Sequence, residues 1–160
     1  MKVTVIHKAF EDKPVIVAEV EAPEDFEVDD ALEYAYRWTN NVAGSWSLKE
    51  VPDYGRPKRF VTEELENGDA NPNVTVLDYN EDGLGLRSTS VGDLMIENQD
   101  LYKVAGTGFE RISFYDLSLK ELSELRRAER RARLLNPELH IEGCHSLNWC
   151  FWDLKKEQQA

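Results

Sequence analysis

The stretch Arg87-Ser-Thr-Ser-Val-Gly-Asp93 runs on through Leu94-Met-Ile-Glu97, Asn98-Gln-Asp100 and Leu101–Ala105 to the glycine-bracketed turn Gly106-Thr-Gly108 and Phe109. Its reading decides the fold. A small polar run closes on Gly92-Asp93, an apolar run follows, a polar turn interrupts, and a second apolar run ends at the glycines. Two short apolar runs separated by turn formers specify a β-hairpin. Ser88, Thr89 and Ser90 read as turn hydroxyls that bond nearby backbone groups, and Arg87 with Asp93 as a structural ion pair. The rival reading places Arg87, Ser88, Ser90 and Asp93 at a pocket for a small molecule or nucleotide. Gly106-Thr-Gly108 has neither the Gly-Lys-Ser/Thr continuation of a phosphate loop nor the spacing of a dinucleotide fingerprint.

Working upstream, Val74-Thr-Val-Leu77 is a further strand. The acidic turn after it, Asp78–Gly83, lacks the register and terminal Glu of a calcium loop. At the N-terminus, residues 1–9 and Val15–Val20 flank the polar turn Glu11-Asp-Lys-Pro14, which predicts an opening hairpin. Asp30 with Glu33 fits a capping box. Ala31, Ala35, Trp38 and Val42 then recur at helical spacing. Tyr34, Tyr36 and Trp38 are expected to pack that helix onto a sheet. Residues 44–73 are a long, turn-rich connection. Its aromatics, Trp46, Tyr54 and Phe60, either tuck the loop onto the core or form a protein-binding patch.

Downstream, Ser118 and Glu121 form a capping box, and Leu117 and Leu122 the two ends of a hydrophobic staple. The stripe Leu122, Leu125, Ala128, Ala132 and Leu135 predicts a helix over 119–135, ended by Asn136-Pro137. Its arginines, Arg126, Arg127, Arg130, Arg131 and Arg133, could grip phosphates, but complementing the chain's own acidic half is the favoured reading. Leu139–Glu142 and Leu147–Trp152 are strand candidates, and residues 155–160 read as a frayed tail.

Composition narrows the function classes. The 160-residue chain carries a net charge of −12. Residues 1–82 hold 19 acids against 8 bases, whereas residues 83–160 hold 12 against 11. Such a surface disfavours direct nucleic-acid binding, although an acidic mimic that competes with DNA for a basic partner fits it. Two cysteines are too few for a secreted disulfide framework. No window offers the roughly 18 apolar residues of a membrane span, and the first residues do not read as a signal peptide.

One cluster invites a test for metal. His140, Cys144, His145 and Cys150 are all competent zinc ligands, but they lack paired knuckle spacing, and Cys150 among aromatics reads as a small buried thiol. Neither zinc nor any other cofactor is the expectation. No Gly-x-Ser-x-Gly elbow is present, and nothing local activates Cys144 as a nucleophile. Enzyme chemistry would have to rest on this cluster.

Asn71-Pro-Asn-Val-Thr-Val-Leu77, Arg87-Ser-Thr-Ser-Val-Gly-Asp93, Tyr102-Lys-Val104 and Gly108-Phe-Glu-Arg-Ile112 resemble small proteins carried by bacteriophages and plasmids. The second half of this pattern is similar to the domain called YodL-like. The helix 31–39, Asn40-Asn41 and Gly44-Ser-Trp46 extend the resemblance over about residues 30–112. It transfers no catalytic residue. It implies an accessory protein of a mobile element in the cytoplasm of a bacterial host cell, acting on a host or phage protein, defence systems included.

The sequence therefore predicts one α+β domain over residues 1–154, with an antiparallel sheet of hairpins and two helices. The expected function is non-enzymatic binding of a protein partner through the 44–66 loop (Trp46, Tyr54, Phe60) and the acidic half. DNA mimicry and small-molecule binding are the alternatives, no membrane partner is expected, and self-association is left open.

Overall fold

The computed structural model describes residues 1–48, 67–137 and 144–159, except the side chains of Cys144, His145 and Gln159. It is an α+β domain built on a six-stranded antiparallel sheet. The strands are β1 (Lys2–His7), β2 (Val15–Glu21), β3 (Val74–Val76), β4 (Leu94–Glu97), β5 (Asp100–Val104) and β6 (Phe109–Ile112). Their spatial order is β3-β2-β1-β4-β5-β6. The opening hairpin and the 94–104 hairpin thus lie side by side, joined through β1 and β4.

Helix α1 (Val28–Trp38) covers one face of the sheet, with Val3, Val5, Val20, Val74, Met95 and Val104 beneath it. Helices α2 (Leu119–Leu135) and α3 (Cys144–Gln159) cover the other, over Ile6, Ile16, Leu94, Ile96 and Leu101. Because both faces are covered, β1, β2 and β4 bury nearly every side chain, so β2 and β4 carry unbroken apolar runs and the polar Thr4 and His7 of β1 are buried with the rest. Tyr34, Tyr36 and Trp38 pack on the first core, as expected.

Local chemistry explains the turns and helix starts. Asn98 and Gln99 both take positive φ, 44° and 71°, which joins β4 to β5 by a two-residue turn whose twist matches the strands. Gly92 at φ 95° ends the polar run just before β4. Ser118 accepts from the Glu121 backbone N–H while the Glu121 side chain accepts from Ser118 N–H, the expected capping box. Helix α1 differs from its expectation. It starts three residues earlier, Glu27 occupies the cap without a side-chain bond, and Asp29 and Asp30 lie in the first turn, where carboxylates favour the helix dipole. Val42 falls beyond the helix and is exposed.

The C-terminal region overturns two expectations. Residues 147–152 are not a strand and 155–159 are not a frayed tail, because both belong to α3. Leu147, Cys150, Phe151 and Leu154 recur at i, i+3, i+4 and i+7, the spacing of a helix face, and they pack into the second core. That burial outweighs the strand preference of Trp149-Cys-Phe-Trp152. Among the described residues the sheet therefore carries three α-helices rather than two. Leu139–Glu142 lies outside the described residues.

Candidate functional site

Among the described residues, two places have the density of side-chain chemistry that a site requires, and they differ in whether that chemistry is already spent. The first surrounds the sequence that decides the fold. Arg87 donates through Nη1 and Nη2 to both oxygens of Asp93 at 2.8 Å, and through Nε and Nη2 to Glu11 at 3.0 and 2.6 Å. Its fifth donor goes to Ser88 O at 2.8 Å. A guanidinium has five N–H groups, so none is left for a ligand. Asp93 is fully buried and also accepts the backbone N–H groups of Lys8, Ala9 and Ser90. Burial alone would push its carboxyl up, but the Arg87 bonds and the three backbone donors outweigh that and hold it below the usual carboxylate range. The predicted Arg87–Asp93 ion pair is present, and Glu11, 76 residues from Arg87, is the partner that local sequence could not reveal.

The polar run beside it is equally committed. Ser88 Oγ accepts from Asn41 N, 47 residues away, rather than from a neighbour as expected. Thr39 Oγ1 donates to Ala35 O, and its oxygen lies 2.7 Å from Thr89 Oγ1, which is 3.0 Å from His7 Nε2. Each hydroxyl has one proton. Thr39 spends its own on Ala35, so Thr89 donates to Thr39 and His7 Nε2 donates to Thr89. The order of bonds fixes His7 as the neutral Nε2–H tautomer. Burial pushes its pKa down from 6.5 to about 4, Asp93 opposing and Arg87 assisting.

Trp46 closes the same network. It is fully buried, its indole N–H donates to Arg87 O at 2.9 Å, and its backbone N–H donates to Asn41 Oδ1. Trp46 therefore tucks its loop onto the core and presents no contact surface, which corrects its assignment to a protein-binding patch. Tyr54 and Phe60 lie outside the described residues. Buried Asp69 anchors the chain just after α1, accepting from Val42 N, Ala43 N and Arg37 Nη1. Arg87, Ser88, Ser90 and Asp93 thus come together as predicted, but as a structural lattice.

The second place is open. A cleft of about 1160 Å³ lies between the β5–β6 edge of the sheet, the 3-10 turn Phe114–Asp116 and α3. Ile112 and Phe114 form part of its lining, with Tyr115, Trp149, Trp152 and Lys156 around them. Trp149 is 75% exposed, Tyr115 52% and Trp152 49%. Tyr115 donates to Asp153 at 2.8 Å, which ties the turn to α3 and raises the phenol pKa. Ser146 N donates to Gln99 Oε1, which ties the first turn of α3 to the β4–β5 turn. These two bonds tie α3 to the opposite wall at both ends of the cleft.

Two cations that do not line the cleft lie against aromatic rings of α3. The Arg126 guanidinium sits 4.1 Å from the Phe151 ring centre and 5.2 Å from that of Trp152, and Lys155 Nζ is 5.1 Å from Trp152. Further along α2, Arg131 pairs with Asp78 and Arg133 with Glu129, so this helix partly complements the chain's own acids as expected. Arg127 and Arg130 form no ion pair among the described residues.

Of the proposed metal ligands, Cys150 is buried on the α2-facing side of α3, and burial raises its thiol pKa. Cys144 and His145 open α3 with side chains outside the described set, as is all of His140. No group of metal-binding side chains occurs among the described residues, and none of their helices is long and apolar enough to cross a membrane. Sequence reasoning missed the cleft because residues 99–115 and 146–156 meet only in three dimensions. The one local signal was the pair of tryptophans, Trp149 and Trp152. Comparisons with protein-family models, with curated proteins and with solved structures find no match to this chain.

Proposed function

We propose that the chain is a non-enzymatic binding protein whose β6–α3 cleft holds a segment of a protein partner. The supporting observation is that Tyr115, Trp149 and Trp152 are gathered, exposed, in one cleft whose walls are fixed by hydrogen bonds. Exposed aromatics clustered beside an apolar floor are the features of an interface hot spot. The polar network at Arg87 has the opposite character, since every guanidinium donor is used. This moves the proposed contact surface from the 44–66 loop to the cleft. The resemblance to phage- and plasmid-borne proteins supports an accessory role toward a host or phage protein in the bacterial cytoplasm.

The test is a comparative capture followed by reconstitution. Wild type, the double variant Trp149→Ala/Trp152→Ala and a control, Leu134→Ala on the far side of α2, are used as baits in host extract. A partner bound by wild type and control is then purified and titrated. Truncating two hot-spot aromatics should weaken binding at least about thirtyfold. Equal affinity for all three baits sinks the cleft as the contact site.

A further inference from the structure

Strand β6 is an outer strand of the sheet, and the hydrogen-bond pattern shows which of its groups are unused. Val104 donates to Asp93 O and accepts from Gly92 N, so its backbone faces β4. Alternation then points Leu101 and Lys103 toward β6, where they oppose Ile112 and Glu110. Ala105 N donates to Gly108 O, in agreement with this parity. The N–H and C=O groups of Phe109 and Arg111 therefore point away from the sheet, with no partner among the described residues. Side chains alternate too. Phe109 packs toward α1 against Tyr36, whereas Ile112 and Glu110 face the cleft side. Glu110 is exposed and forms no ion pair among the described residues.

We propose that the partner binds as an added β-strand on β6, through an extended segment with a basic side chain opposite Glu110 and an apolar one opposite Ile112. This rests on the cleft being the protein-binding site. Glu110 occupies a non-hydrogen-bonded position toward the added strand, where opposed side chains come closest, so a Lys or Arg there meets its carboxylate directly. Two residues along, on the same face, the apolar side chain lies over Ile112 beside the exposed tryptophans. The charge complementarity is local to Glu110, since residues 83–160, which include β6, hold 12 acids against 11 bases. A second copy of this chain is a poor occupant. Two-fold antiparallel pairing must match outward residues with outward residues, so the registers that pair more than one residue of β6 centre on Glu110 or on Arg111 and set like charge against like.

The probe is a displayed library of short random peptides selected on the immobilised full-length chain, with enriched peptides resynthesised and titrated by fluorescence anisotropy. The expected consensus is basic-x-apolar, in either direction. Arg111→Pro removes one outward N–H and spares the β5–β6 ladder, since proline is tolerated on an outer strand. It should weaken the peptides roughly tenfold. Should that variant fold poorly, backbone N-methylation of the peptide residue facing Arg111 must give the same loss. Glu110→Lys should invert the preference at its position from basic to acidic.

Peptides lost with Trp149→Ala but indifferent to Arg111→Pro, N-methylation and Glu110→Lys would overturn strand addition and leave the cleft standing. Peptides indifferent to Trp149→Ala as well would overturn both. An unenriched library refutes strand addition, and so does a concentration-dependent dimer abolished by Arg111→Pro, which would make a second copy the occupant.

Discussion

Lowering the pH from 7 to 5 should cost this fold about 2 kcal/mol through one side chain, His7. Its imidazole is 2% exposed, and burial carries its pKa from 6.5 to about 4. The unfolded chain therefore accepts a proton that the folded chain refuses. Stability is intact above pH 6.5, falls as the pH drops through the window between 6.5 and 4, and levels off below it. The full loss is about 3 kcal/mol, from roughly 1.4 kcal/mol per unit of displacement. The carboxylates beside it act in a separate window. Asp93 and Glu11 are held below their usual range, so their contribution is lost only as the pH falls through those lowered values.

The assay is urea unfolding followed by tryptophan fluorescence at pH 7 and pH 5, for wild type and His7→Gln. Subtracting the variant cancels the carboxylates that both proteins share. Wild type should lose about 2 kcal/mol more than the variant over this interval. Parallel losses would refute the assignment. So would an imidazole NMR signal of the native protein that titrates near 6.5, or one that reports the Nδ1–H tautomer, since the Thr89–Thr39–Ala35 chain requires Nε2–H.

Two further perturbations test other parts of the construction. Asp93→Asn leaves Arg87 beside an amide in place of a fully buried carboxylate that accepts three backbone donors, and it should destabilise by about 3–5 kcal/mol in urea unfolding; a loss below about 1 kcal/mol would mean the pair behaves like an exposed one. Ser118→Ala removes the acceptor for Glu121 N at the start of α2 and should cost about 1 kcal/mol. An unchanged urea midpoint would show that this helix start is held by Leu122 and its neighbours alone.

The sequence made some of this legible, and the reasons are local. Asn98-Gln-Asp100 between two apolar runs specified the β4–β5 hairpin, and Ser118 with Glu121 specified the start of α2, because each signal lies within a few residues. Arg87 and Asp93 were readable as a pair for the same reason. Trp46 was not readable, because the acceptor of its indole N–H, Arg87 O, lies 41 residues away in the chain. For α3, two cues conflicted. The aromatic run around Cys150 favoured a strand, whereas the spacing of Leu147, Cys150, Phe151 and Leu154 favoured a helix, and the second core decided between them. The cleft had no local signature, since its walls are joined by contacts such as Tyr115 to Asp153 and Ser146 to Gln99.

The strand order has a consequence for synthesis. β1 lies inside the sheet, flanked by β2, its neighbour in the chain, and by β4, which begins at Leu94. At ribosomal rates of about 5–20 residues per second, β1 waits roughly 4–20 s after its own translation before β4 can cover its open side. During that wait the nascent chain displays an apolar, unpaired ladder of the kind that seeds aggregation. The charge asymmetry falls on this same span, because residues 1–82 carry 19 acids against 8 bases. Like charge on that span opposes the association of neighbouring nascent chains while the second hairpin is still to come.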